Sequence, residues 1–267
     1  MQVVVNSLLT AYELSQGKES ARKSKHERQK PKILLLHGWG DSAKGWQHVV
    51  HELANDFQVC VPDLPGFGAS QAPPKPWGLT DYAEFITAFL KKTRFTPDII
   101  IGHSNGGAIA IRGLAHGVLS ADKLVLLSSA GIRSEYKGRK KLLRVITKAG
   151  KVLTYPLPRA VRHRLRRQVY TTVGSDMLVA EHLQETFKKV VTDDVQADAA
   201  VLHIPTLLVY GEADQHTPVQ YGRVLHNLIA GSTLEVIGEA GHFAHLDKPA
   251  QTLTIIRKFL GVSGESR

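Results

Sequence analysis

Apolar residues in this chain gather in short, nearly unbroken runs separated by stretches with helical spacing. Ile33-Leu34-Leu35-Leu36, Val59-Cys60-Val61, Ile99-Ile100-Ile101, Lys123–Leu127 and Thr206–Tyr210 are too short for helices. Such runs read as strands covered on both faces, as in a parallel sheet. Thr233–Ile237 adds a strand, and Gln2–Val5 with Thr10–Leu14 predicts an edge hairpin around Asn6-Ser7. Helical stretches run from Ser42 to about Ala54, Thr80 to about Lys92, Ala108 to Ala115, Pro218 to Leu228 and Pro249 to Leu260. Ser42 and Thr80 are the expected N-caps. Strands alternating with helices predict an α/β protein built on a mostly parallel, doubly wound, eight-stranded sheet.

One helix-patterned insert, residues 132–201, separates the two parts of that core, 1–131 and 202–267. A chain of 267 residues suits one large domain with such an insertion. The apolar runs are far too short to span a bilayer. Met1 to Asn6 shows neither a basic region nor a small-residue cleavage site, so no secretory signal is expected. Cys60 stands alone, which forbids an internal disulfide and makes a cytoplasmic location the expectation.

The chemistry concentrates after the strand Ile99-Ile100-Ile101. Gly102-His103-Ser104-Asn105-Gly106 has G-x-S-x-G spacing, and the small-residue stretch behind it reads as a helix. A serine on a sharp strand-to-helix turn is lifted above the sheet edge, beside backbone N–H groups of the helix start. The plain alternative is a Gly-rich connection without chemistry, so partners decide. In a doubly wound sheet, catalytic groups gather at the carboxyl ends of strands. His37 to Gly40, Asp63 to Gly68, Ser104, Asp214 and His242 all follow predicted strands. The order Ser…Asp…His is that of an elbow-type hydrolase.

With His37-Gly38-Trp39-Gly40, Asp63-Leu64-Pro65-Gly66-Phe67-Gly68, Gly102-His103-Ser104-Asn105-Gly106-Gly107, Gly211-Glu212-Ala213-Asp214 and Gly241-His242-Phe243 in this order, the chain resembles the α/β-hydrolase superfamily. The branch it resembles carries a helical cap after the sixth core strand, here the insert. The resemblance implies Ser104 as nucleophile, His242 as base and Asp214 as the group that orients the imidazole. It also implies an oxyanion hole from the backbone N–H groups of Trp39 and Asn105. Glu212 and Asp247 are the rival acids and His245 the rival base. His37 and Asp63 are read as structural. A serine at the elbow disfavours the aspartate-nucleophile dehalogenase and epoxide-hydrolase branches.

No cofactor or metal is expected. Gly66-Phe67-Gly68 lacks the third glycine of a dinucleotide site, because Gln71 stands there. The pairs His48/His51 and His242/His245 have no further ligand set.

Charge singles out the insert. The net charge is +10, yet residues 133–167 hold thirteen Lys/Arg against one acid, and everything else comes to −2. Lys137, Lys141, Arg144, Lys148 and Lys151 fall within about 80° of one another at helical spacing, opposite an apolar face. An unbalanced stripe costs self-repulsion, which argues for an anionic partner: a lipid surface, an acidic carrier protein or a charged substrate group. A solvated face is the alternative. Nucleic acid is not expected, since no aromatic residue interleaves the stripe. Peripheral membrane attachment is the variant of the cytoplasmic expectation.

The leading function is cofactor-free hydrolysis of a small-molecule carboxylic ester through an acyl-enzyme. One variant resembles the pimeloyl-carrier-protein methyl ester esterases, which share His-Gly-Trp-Gly and a basic cap. A second class is C–C bond hydrolysis of dienone acids, whose members usually carry Trp after the histidine, where this chain has Phe243. The third is a non-enzymatic binding protein on the same fold, disfavoured because the three triad residue types are all present.

Overall fold

The structure is a computed structural model, and it describes residues 1–15, 30–133 and 180–262. The strands are β1 (Gln2–Val5), β2 (Leu8–Leu14), β3 (Lys32–Leu36), β4 (Gln58–Pro62), β5 (Ile99–His103), β6 (Lys123–Leu127), β7 (Thr206–Gly211) and β8 (Thr233–Ile237). They form one sheet in the order β1-β2-β4-β3-β5-β6-β7-β8. β1 and β2 pair antiparallel, as do β2 and β4, and every pairing from β4 to β8 is parallel. Residues 134–179, and with them the stripe Lys137, Lys141, Arg144, Lys148 and Lys151, lie outside the described residues.

Period two along each central strand sorts side chains to two faces. Leu34, Leu36, Ile100, Leu124, Leu126 and Leu208 join one buried cluster with Tyr82, Phe85, Phe89 and Ile109. Those four project from helices α2 (Leu79–Thr93) and α3 (Asn105–Ala115), which follow α1 (Gln47–Leu53) along the chain. Ile33, Leu35, Ile101, Val125 and Val209 join the other, with Trp46, Leu53 and Ile256. The uninterrupted apolar runs are therefore a consequence of covering on both sides. At the β1–β2 turn Asn6 and Ser7 have φ of 47° and 66°, the left-handed pair that a two-residue hairpin of the right twist demands.

Both expected caps are corrected. Ser42 makes no side-chain capping bond; its segment opens with a single tight turn, Ala43–Trp46, before α1. Asp63 Oδ1 accepts the Ala43 N–H at 2.7 Å instead, so a residue from the end of β4 does the capping. Thr80 lies inside α2, whose N-cap is Gly78, with Asp81 Oδ2 accepting the Gly78 N–H at 2.8 Å. The short helix Ala244–Asp247 was not expected from the pattern.

Between β6 and β7 the described chain resumes at Ala180, followed by α4 (Gln184–Thr192) and α5 (Gln196–Ala199). Arg112 of α3 fastens this arm to the sheet layer. Its Nε donates to Asp198 Oδ2 at 2.6 Å, its Nη1 to Thr80 Oγ1 at 3.1 Å, and its Nη2 to Asp193 Oδ1 at 3.1 Å and Asp194 O at 2.9 Å. The last helices are α6 (Val219–Leu228), α7 (Ala244–Asp247) and α8 (Pro249–Leu260). No helix among the described residues is long and apolar enough to cross a membrane.

The close approach of α3 to β3 requires glycine. A Cβ on Gly106 would overlap Leu36 O and His37 O, backbone atoms that cannot swing aside. Gly106→Ala is expected to destabilise the fold by at least about 3 kcal/mol, the upper range for overpacking. Urea unfolding of the purified variant measures it, and a wild-type midpoint would remove the argument.

Candidate active site

β5 runs straight into Ser104, and α3 begins at the next residue. The turn leaves Ser104 at φ 49° and ψ −115°, a strained conformation for a residue with a Cβ. Its backbone is held from several sides. The N–H donates to Leu127 O at 3.0 Å, and the carbonyl accepts from Gly107 N at 3.1 Å and Ala130 N at 3.0 Å. Strain at the serine is thus maintained by the ends of β6 and α3, not relaxed locally.

Asp214 follows β7 and His242 follows β8, and the structure brings the two side chains together. His242 Nδ1 stands 2.8 Å from Asp214 Oδ2, with the carboxylate fully buried and the imidazole 10% exposed. Since a carboxylate only accepts, Nδ1 carries the proton and Nε2 is left unprotonated in the neutral ring. Asp214 accepts three further bonds: Oδ1 from the N–H groups of His216 at 2.8 Å and Thr217 at 2.9 Å, Oδ2 from Thr217 Oγ1 at 2.7 Å. Burial alone would push this carboxyl up; the bond and charge of His242 and the Thr217 donors outweigh burial and hold it at about 2. Asp214 is an anion at any working pH.

His242 is tied to the serine turn through its main chain. His103 Nε2 lies 3.0 Å from His242 O, and as a carbonyl can only accept, Nε2 carries the hydrogen. The two rings are 4.9 Å apart. The residue before Ser104 therefore holds the backbone of the residue that would serve it as base.

Of the two expected oxyanion-hole amides, Asn105 follows Ser104 directly and Trp39 follows Gly38. Asn105 is the first residue of α3, where an N–H has no acceptor within the helix. Gly38 lies against the elbow: a Cβ there would stand 3.2 Å from Ser104 Cβ and 2.8 Å from His103 Nδ1. The Trp39 ring packs edge-on against Phe67 at 4.8 Å and beside Phe187 of α4 at 5.0 Å.

Comparison with known proteins fits this geometry. A family model described as "Alpha/beta hydrolase family" matches residues 33–254. The chain belongs to the alpha/beta hydrolase family. A 2-hydroxymuconate semialdehyde hydrolase of Pseudomonas sp. is 25% identical over 248 residues, covering 85% of this chain and 86% of that protein. A pyrrolizixenacetamide deacetylase of Xenorhabdus hominickii is 27% identical over 244 residues, covering 86% and 91%. Among solved structures, a meta-cleavage product hydrolase from Pseudomonas fluorescens superposes with a TM-score of 0.71 at 19% identity, covering 98% of this chain and 97% of that one.

In this alpha/beta hydrolase the rival acid Asp247 and the two residues read as structural, His37 and Asp63, have other employment. Asp247 Oδ2 accepts the Gly241 N–H at 2.8 Å and so shapes the turn before His242. His37 is structural: Nδ1 donates to Gly38 O at 2.8 Å and Nε2 accepts from Leu64 N at 2.9 Å. Asp63 joins two loops, accepting from Ala43 N and, at 2.8 Å, from Ala69 N. His245 is buried and stacked on Trp46 at 3.9 Å, with neither ring nitrogen partnered among the described residues. Two supporting residues escaped the sequence, Thr217 and His103. An Asp followed by threonine three residues on is a local turn signature, and it was the available clue for Thr217.

Burial holds the His245 imidazole down at about 4, against 6.5 for a free ring. The unfolded chain takes up this proton first, so stability falls as pH drops from 6.5 towards 4. The loss amounts to about 3 kcal/mol for this one group. His245→Phe is expected to flatten the dependence of the urea midpoint on pH over that window. Parallel curves for wild type and variant would refute it.

Proposed function

We propose that the protein is a serine hydrolase that cleaves small-molecule carboxylic esters through an acyl-enzyme. The observation that carries this reading is the buried Asp214–His242 pair, which leaves Nε2 of the imidazole unprotonated, while the His242 backbone is bonded to His103, the residue before the strained serine. Ser104 Oγ attacks the ester carbonyl while His242 Nε2 takes its proton. The oxyanion that forms is met by the Trp39 and Asn105 N–H groups. The imidazolium, stabilised by Asp214, returns the proton to the departing alkoxide, and the alcohol leaves. Water, deprotonated by His242, then releases the acid and restores the serine.

A second reading is C–C bond hydrolysis of a ring-opened dienone acid. It is favoured by the names of the Pseudomonas relatives, and the same serine, base and oxyanion groups would serve it. Phe243, 40% exposed beside His242, stands where that class usually has Trp. A panel of p-nitrophenyl esters of increasing acyl length, run beside dienone acids and with Ser104→Ala as control, separates the two. Ester turnover that Ser104→Ala abolishes is the expected result. Turnover of dienone acids alone would move the scissile bond to carbon, and ester turnover surviving in Ser104→Ala would remove the nucleophile.

A further inference from the structure

Thr217 is nearly fully buried between the end of β6 and the Asp214–His242 pair. Its hydroxyl has one hydrogen and three polar neighbours: Asp214 Oδ2 at 2.7 Å, Ser128 O at 2.9 Å and His242 Nδ1 at 3.1 Å. Two oxygens at 2.7 Å need a hydrogen between them. Asp214 is ionised, so Thr217 supplies it, sharing the same hydrogen with the Ser128 carbonyl. The hydroxyl's lone pairs then face the Nδ1–H of His242, which is already directed at Asp214 Oδ2.

From this geometry we infer that Thr217 is a positioning residue for the histidine. Its hydroxyl closes a three-membered ring of contacts with Asp214 and His242 and limits rotation of the imidazole about its own plane. Asp214 supplies the charge; Thr217 supplies a second acceptor that keeps Nδ1–H, and hence the opposite nitrogen, in one direction. The Ser128 carbonyl fixes the hydroxyl in turn. Ser128 itself has φ 44° and a buried Oγ without a partner among the described residues. That strained residue presents its carbonyl to Thr217, which links the β6 end to the base.

The inference rests on the triad reading above, so its test carries a measurement that needs no substrate. Thr217→Val removes the hydroxyl at nearly constant volume, and Thr217→Ser keeps it. In Thr217→Val, kcat for the best ester of the panel is expected to fall about tenfold, the worth of one hydrogen bond at the barrier, with KM unchanged. Thr217→Ser is expected to restore it. In proton NMR the His242 Nδ1–H resonance is expected in wild type and Thr217→Ser, and to be broadened by solvent exchange in Thr217→Val. A hydroxyl that merely satisfied Ser128 O would lower the melting temperature of Thr217→Val and leave both kcat and this resonance in place, which overturns the inference. Should Thr217→Val be too unstable to assay at 25 °C, the Thr217→Ser enzyme must still match wild type in kcat and resonance; failure there also overturns it. Ser104→Ala, assayed alongside, separates the causes. Surviving turnover there fails the triad, whereas abolished turnover with a silent Thr217→Val fails the Thr217 role alone.

Discussion

Ser104→Ala and His242→Ala are each expected to lower kcat by about 10⁶, and the double variant by no more, because members of a triad act as one unit. The proposed mechanism gives the reason for non-additivity. Without Ser104 Oγ the Nε2 of His242 has no proton to take, and without the imidazole the serine hydroxyl keeps its proton at neutral pH. A fluorophosphonate probe should label Ser104 in the wild-type chain and fail to label either variant. Ser104→Ala should keep the wild-type stability within about 1 kcal/mol, since Ser104 Oγ holds no strand or helix together, whereas His242→Ala also takes a donor from the buried Asp214 carboxylate and should be destabilised. Steady-state kinetics on the best ester decides. Normal turnover in either variant removes the assignment.

The second large effect is expected at Asp214. Asp214→Asn should lower kcat by about 10⁴, less than loss of the serine, because it misdirects the base without deleting it. The carboxamide oxygen can still take the His216 and Thr217 N–H groups that now bind Oδ1. Its NH2 then faces His242 Nδ1, a donor set against a donor. The ring escapes by moving its proton to Nε2, the nitrogen that must accept from Ser104. A rise in KM with kcat preserved would place Asp214 in substrate binding and move the orienting acid elsewhere.

Much of the fold was legible because the central strands are buried on both faces, and double burial writes itself as runs such as Ile99-Ile100-Ile101. The mostly parallel, doubly wound character of the sheet followed from alternation with helices. The caps were not legible. Ser42 and Thr80 have the right chemistry locally, but Ser42 makes no capping bond while Asp63 takes the Ala43 N–H, and α2 starts earlier, at Gly78, whose N–H goes to Asp81. A cap supplied from twenty residues away leaves no mark in a window of five. The site divides in the same manner. Ser104, Asp214 and His242 each follow a strand and could be named from order and spacing. His103 and Thr217 act through contacts to His242 O and Ser128 O, 139 and 89 residues distant, and neither spacing is a motif.

The Arg112 clamp has a consequence for exchange between relatives. Asp193, Asp194 and Asp198 answer to a residue of α3, so the arm from 180 to 201 belongs to the sheet layer in its contacts, although it follows the insert in the chain. A chimera that replaces the insert of this hydrolase with that of a relative should therefore be joined after Arg133 and before Ala180. Cutting instead at 201 strips three of the four bonds from a nearly buried guanidinium, leaves only the one to Thr80, and leaves its charge unanswered against the face of α3. The seam for recombination lies inside the insert, not at its ends.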